Sequence, residues 1–272
     1  MKKTIWFSCL LILAFLSCEK VNYYEDKPLE YSPTISLAHR GGRTDSLPEN
    51  NYASCINALS FMAGIEVDVQ LSKDRTIWLS HNTKVVGCNG EQNCFVETRD
   101  IEIESIDSCN GISHKYSKLA DVMNYMDQHN IRKYIAIDLK DWKPCSGNSM
   151  AVEDVMKAEA EEIIKLGEKY NLTKYLLFEN DFPSVLGWIK KKNSLVKTFI
   201  TSYGDYEKGM LEALKNNLDG ISYKTNFKDE LDNDKINLLH KKGVRLMAWN
   251  IPDSTYMQFL RSINVDFMQI DL

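Results

Sequence analysis

An excess of positive charge is missing from this chain: 33 Lys and Arg stand against 38 Asp and Glu, a formal charge of −5. Nonspecific nucleic-acid binding draws its affinity from cations set along phosphates, so an acidic protein is poorly suited to it. An anionic substrate would need positive charge supplied locally, from a metal or from Arg40 and Lys140. Paired CxxC spacing is also missing among the seven cysteines, which argues against a structural zinc site. No internal repeat, low-complexity tract or second domain is visible. Long apolar runs are absent apart from one at the start of the chain.

That run follows Lys2 and Lys3, covers Ile5 to Phe15 and closes on Leu16-Ser17-Cys18. This is the organisation of a signal peptide over residues 1–17, too short to span a bilayer. The cysteine at the cleavage point resembles a bacterial lipobox, which implies a mature chain lipid-modified on Cys18, exported and anchored to a membrane of the bacterial cell envelope. Residues 18–34 carry Pro28, Pro33 and mixed charge without a period, and read as a tether. Residues 35–272, roughly 240, suit one α/β barrel. An exported chain permits disulfides: Cys88 and Cys94 close a short loop, Cys109 and Cys145 could form a second bridge, and Cys55 falls in a helical pattern as a buried thiol.

Strand and helix patterns alternate through the remainder. The strand-like runs are Ile35–Arg40, Gly64–Gln70, Tyr134–Lys140, Tyr175–Glu179, Val196–Ser202, Gly220–Lys224, Val244–Asn250 and Val265–Asp271. Helical spacing is expected over Asn50–Met62, Lys118–Gln128, Ala151–Tyr170, Ser184–Lys192, Tyr206–Asn216, Asp232–Lys242 and Ser254–Ile263. Such alternation predicts a parallel sheet with helices outside, and this number of strands a closed (β/α)8 TIM barrel. One further run, Thr76–His81, follows its predecessor too closely for a parallel crossover. It is expected to be the return arm of a β-hairpin turning near Asp74-Arg75, with residue 72 opposite 77 and Asp68 opposite His81. Residues 82–117 then form an insertion after that hairpin.

Active sites of such barrels lie where strands end, and the predicted ends are charged. His39 and Arg40 close the first run; Glu66 and Asp68, two residues apart, share one face of the second. Asp138 and Lys140 repeat that geometry, and His81 ends the hairpin. Three carboxylates from neighbouring strands suit a hard divalent cation, Mg²⁺ or Ca²⁺. Asp138 and Lys140 have a simpler reading as a buried ion pair. Glu179, Lys224 and Asn250 read as rim residues, Trp249 as core or pocket wall, and Lys190-Lys191-Lys192 as a solvated helix end favoured by the dipole.

His39-Arg40-Gly41, Pro48-Glu49-Asn50, Glu66-Val67-Asp68, His81 and Ile137-Asp138-Leu139-Lys140, with weaker late matches at Trp249 and Asp271, resemble the glycerophosphodiester phosphodiesterase family. The resemblance runs from about Ile35 to the last residue. It implies a metal-dependent hydrolase giving glycerol 3-phosphate and an alcohol. His39 and His81 would be the acid/base pair, Arg40 and Lys140 would meet the phosphate, and Glu66, Asp68 and Asp138 would hold the metal, with Glu49 as a further member of that shell. Residues 82–117 would cover the mouth. The chain departs from the family pattern where Asn82 stands for Asp, Asp138 for Glu, and Ile270-Asp271-Leu272 for Thr-Asp before proline. Two rival readings are a phosphatidylinositol-type phospholipase C on the same barrel and a noncatalytic lipoprotein binding glycans or headgroups. A glycosidase needs two opposed carboxylates, whereas the clearest pair here shares one strand.

Overall fold

The computed structural model describes residues 25–30, 32–87, 90–106, 116–140, 151–225 and 231–272. In chain order the strands are β1 (Ile35–Ala38), β2 (Gly64–Leu71), β3 (Ile77–Leu79), β4 (Lys84–Val86), β5 (Gln92–Cys94), β6 (Ser117–Lys118), β7 (Tyr134–Leu139), β8 (Leu176–Asn180), β9 (Lys197–Ser202), β10 (Gly220–Lys224), β11 (Arg245–Trp249) and β12 (Phe267–Ile270). The helices are α1 (Tyr52–Phe61), α2 (Asp100–Ser105), α3 (Leu119–Gln128), α4 (Val152–Lys169), α5 (Pro183–Lys192), α6 (Tyr206–Lys215), α7 (Asn233–Lys241) and α8 (Ser254–Ser262). Strands β1, β2 and β7–β12 run parallel, and β1 pairs with both β2 and β12, so the sheet closes into a (β/α)8 barrel. The lipidation position Cys18, the signal peptide, and Cys88, Cys109 and Cys145 lie outside the described residues. Cys94 is disulfide-bonded, and Cys55 is free and buried.

Local chemistry accounts for the helix starts. Asn51 caps α1 in a capping box with Ser54, and Asp205, Asp232 and Asp253 each accept the backbone N–H three residues on, opening α6, α7 and α8. The apolar faces of the helices pack on the outer faces of the strands, burying residues such as Leu59, Val122, Ile163 and Leu239. Inside the barrel a second, smaller apolar cluster of Leu37, Ala136, Leu177, Phe199, Met247 and Phe267 fills the lower half. Phe267 meets Tyr134 and Phe199 edge to face at 5.5 and 5.7 Å, a geometry aromatic quadrupoles favour. Glycines make that plug possible. A Cβ on Gly64 would lie 2.7 Å from Leu37 and run into the Tyr134 carbonyl, and one on Gly220 would lie 2.6 Å from the Phe199 ring.

The hairpin forms, but its register differs from the expected one. Leu71 faces Ile77 and Val69 faces Leu79, so Asp68 lies opposite Ser80, whose N–H donates to the Asp68 carbonyl at 3.0 Å. The loop has three residues, Lys73-Asp74-Arg75. Arg75 N donates to Ser72 O at 3.0 Å, and Arg75 takes the left-handed conformation at φ 64°, as three-residue hairpin loops require. A shift by one residue moves side chains to the other face. His81 still reaches the barrel mouth because the chain leaves strand geometry after Leu79.

The described residues of the insertion include regular elements. Its β4–β5 hairpin and α2 build a small core from Val85, Phe95, Ile103 and Ile106 against Trp78. Asp100 ties it to the β2–β3 hairpin by accepting hydrogen bonds from Trp78 Nε1, at 2.9 Å, and from Thr76 Oγ1.

Candidate active site

A cavity of about 260 Å³ opens at the C-terminal ends of the barrel strands. His39, Arg40, Glu66, Asp68, His81, Asp138, Lys140 and Trp249 all line it. The turn after β1 sets the first of these. Arg40, Gly41 and Gly42 take φ values of 50°, 72° and 82°, which only glycine adopts freely. A Cβ on Gly41 would also lie 2.5 Å from Cys55 Sγ. This turn aims the Arg40 N–H at Glu66 Oε2, 2.7 Å away, and leaves the His39 ring beside the same carboxylate, with Nε2 3.9 Å from Oε2.

Ligand oxygens of Glu66, Asp68 and Asp138 lie within 4.8 Å of one another. Asp68 is held from several sides: Asn50 Nδ2 donates to it at 2.7 Å, Lys140 Nζ lies at 2.6 Å and Arg40 Nε at 3.5 Å. Lys140 also pairs with Asp138, so the simpler reading of those two residues as an ion pair describes this structure as well. Burial and the neighbouring Asp68, Glu179 and Asp138 push the Glu66 carboxyl well above its ordinary range. Burial opposes charge on Asp68 too, but Lys140 and Asn50 outweigh it and hold Asp68 below the carboxylate range. Desolvation raises Asp138 against the pull of Lys140. More acid than base is gathered here, in oxygen donors alone, and a hard divalent cation would offset the excess. The donor set therefore fits Mg²⁺ or Ca²⁺.

Glu49 stands elsewhere. Its carboxylate accepts from Arg40 Nη1 at 3.1 and 3.2 Å, on the outer side of the turn, and does not join the acidic cluster. The neighbour that does reach the cluster is Asn50. Its amide oxygen accepts the Asp68 N–H at 3.0 Å while its nitrogen serves the Asp68 carboxylate, and its φ of 51° makes both possible. Glu179 is buried inside the barrel, not placed on the rim. Gln269 Nε2 donates to it at 2.6 Å and Ser222 Oγ donates to its other oxygen. Burial and Asp138 push it up to about 8.

Two contacts were not legible from motif spacing. Nδ1 of His39 lies 2.7 Å from Oδ1 of Asp271, which follows β12. A carboxylate there fixes the proton on Nδ1 and leaves Nε2 facing the cavity. The opposite wall is built by Tyr203, whose hydroxyl donates to Asp181 at 2.9 Å and whose ring meets Trp249 edge-on at 6.0 Å. Lys224 stands over Trp249. Aromatic residues just past strand ends are the signal that would have singled out Tyr203.

A family model for the glycerophosphoryl diester phosphodiesterase family matches residues 39–271. The chain belongs to that family. It is accordingly a phosphoric diester hydrolase. Its fold is shared by solved family structures of low identity. A glycerophosphodiester phosphodiesterase from Parabacteroides distasonis is 16% identical with a TM-score of 0.70, over 89% of this chain and 94% of that one. One from Thermotoga maritima is 20% identical with a TM-score of 0.66, over 88% and 95%. A phosphodiesterase from Oleispira antarctica, solved with the product sn-glycerol-3-phosphate, is 17% identical with a TM-score of 0.67, over 87% and 92%. No curated protein matches the chain.

Proposed function

We propose that this family member hydrolyses glycerophosphodiesters to glycerol 3-phosphate and an alcohol, with His39 and His81 as the acid/base pair. The observation that carries the reading is the meeting, in one cavity, of a carboxylate-oriented histidine, a second histidine, two cations and the clustered carboxylates. The product bound by the Oleispira antarctica relative supports the substrate class.

His39 is the base in this scheme. With Nδ1 engaged by Asp271, Nε2 takes the proton of the attacking hydroxyl, from water or from the substrate's own glycerol, and Asp271 stabilises the imidazolium that results. His81 gives its proton to the departing alcohol oxygen. Arg40 and Lys140 meet the phosphate, the guanidinium through its planar fork and the ammonium as a point charge. Glu66, Asp68 and Asp138 would hold Mg²⁺ or Ca²⁺, which when bound supplies further positive charge beside the phosphate. Asn50 keeps Asp68 aimed at that position. Trp249 and Tyr203 wall the glycerol end. The Lys2-Lys3 start, the apolar run after it and Cys18 support an exported, lipid-anchored location in the cell envelope.

Glycerophosphocholine and glycerophosphoethanolamine are the substrates to offer the mature chain, beside His39→Ala and His81→Ala. Release of glycerol 3-phosphate is expected from wild type, with a loss of at least about a thousandfold in each variant. Equal rates in wild type and variants, or no turnover of any diester with either metal, would refute the assignment.

A further inference from the structure

We infer that the base of the barrel, opposite the catalytic mouth, is a docking surface for an anionic lipid membrane. In a (β/α)8 barrel every helix runs back against its strand, so helix C-termini and strand N-termini all gather at the base. Exposed cations collect there: Lys169 ends α4, Lys191 and Lys192 end α5, Lys215 ends α6 and Arg261 lies in the last turn of α8. Helix dipoles favour those positions, but they do not place Lys174, exposed in the turn before β8. Nor do they explain two large apolar side chains exposed at the same end. Phe61, at the last position of α1, is 60% exposed, and Leu195, in the connection leading to β9, is 61% exposed. Exposed cations and protruding apolar side chains at one end of a molecule are what an anionic membrane interface takes up. Of the exposed acids at this end, Asp26 pairs with Lys241 and Lys242 and Asp127 with Arg132, and Glu25, Glu30 and Glu168 are outnumbered by the exposed cations. The helix starts at the other end carry the opposite charge, although Tyr203, 62% exposed, stands there too. Asp121, Asp154, Asp205, Glu207, Asp234 and Asp253 stand exposed at the helix starts, with exposed Lys208 and half-buried Lys235 among them.

The N-terminal segment reaches the barrel at this same base. Lys27 N donates to Lys241 O at 3.0 Å and Leu29 N to His240 O at 2.9 Å. Gly243, at φ 77°, leaves room that a Cβ would deny, since it would lie 2.8 Å from the Lys27 carbonyl. Only residues 19–26 separate Cys18 from Lys27, the first described residue bonded to the base through its backbone, a reach of at most roughly 32 Å when extended. A lipid on Cys18 would therefore hold the base, not the mouth, against the bilayer. Strands of five or six residues put the mouth roughly 17–20 Å further out. Substrate would then enter from the aqueous phase as a deacylated, water-soluble diester, and intact lipid of the anchoring membrane would lie out of reach. This orientation rests on the mouth being the active site, as proposed above.

Hydrogen exchange of the mature chain, alone and on phosphatidylcholine vesicles containing about one third phosphatidylglycerol, tests the inference. Exchange should slow about fivefold or more in the base segments 59–63 and 190–197, and stay unchanged in the mouth segments 203–208 and 251–256. Phe61→Asp/Leu195→Asp, at two exposed positions, should abolish the base protection. Turnover of soluble glycerophosphocholine should match in free and vesicle-bound chain. Protection at the mouth, no protection anywhere, vesicle-inhibited turnover, or protection that survives the double substitution would each overturn the inference. A chain without acyl groups on Cys18 would overturn the anchor alone, since the footprint is read on the same vesicles either way. A chain inactive on every diester would overturn the active-site reading and leave the footprint to judge the docking surface.

Discussion

Inward-facing side chains of the barrel change character within two residues along the same strands. On β7 the inward positions run Tyr134, Ala136, Asp138, and on β12 they run Phe267, Gln269, then Asp271 beyond the strand end. The lower half is an apolar plug closed by edge-to-face aromatic contacts. The upper half holds Glu66, Asp68, Asp138 and Glu179, with Lys140 and Arg40 pressed among them. The two halves share one backbone, one register and one set of flanking helices. What separates them is that the plug gains from excluding water, while the carboxylates above it are held away from water against their preference. Rigidity made by the lower half fixes the positions the upper half needs.

Substitutions in the two halves should therefore fail in different ways. Glu66→Ala, in the upper half, should cut diester turnover by about 10³–10⁴-fold while the urea midpoint stays or rises, because a destabilised buried acid is gone. A parallel fall in stability and turnover would break the contrast. Phe199→Ala, in the plug, should cost about 3–5 kcal/mol of stability, and the fraction that remains folded should keep its turnover number. A fully folded but inactive Phe199 variant would mean the plug takes a direct part in catalysis. Removing metal with EDTA sharpens the upper half alone: activity should fall and return with Mg²⁺ or Ca²⁺, and the added ion should raise the melting temperature.

Asp271→Asn should lower kcat/KM by about 10–100-fold, carried by kcat with KM little changed, as the His39 ring loses the carboxylate that fixes its orientation at 2.7 Å. An unchanged kcat would reduce Asp271 to a packing role. The smallest effect is expected outside the barrel. Glu159 on α4 is buried against β2 with Oε2 unpartnered, and burial pushes its carboxyl well above the ordinary range. Its folded-state value is raised, so the native chain binds more protons than the unfolded one above the ordinary carboxylate range. Stability should then decline with rising pH across that window, by at most about 1.4 kcal/mol per pH unit. Glu159→Gln should flatten that slope in urea titrations between pH 5 and 8.

The alternation of strand and helix and the residues His39, Arg40, Glu66, Asp68, Asp138 and Lys140 were all legible in the sequence. Each of these follows from neighbours a few positions away: period, the charged residue that closes a strand-like run, or two side chains sharing one face of a strand. Tertiary structure decided the rest. The left-handed Arg75 set the hairpin register and put Ser80, not His81, opposite Asp68. Closure of the barrel brought Asp271 to His39 across 232 positions of sequence. The bend after β1 turned Glu49 outward to Arg40 and gave Asn50 the place beside Asp68, although the two residues are adjacent and equally polar on paper. Local preferences act on φ, ψ and side-chain periodicity, whereas these pairings depend on where strands meet once the sheet has closed. For that reason the composition of the site could be read from the chain, and its partnerships only from the fold.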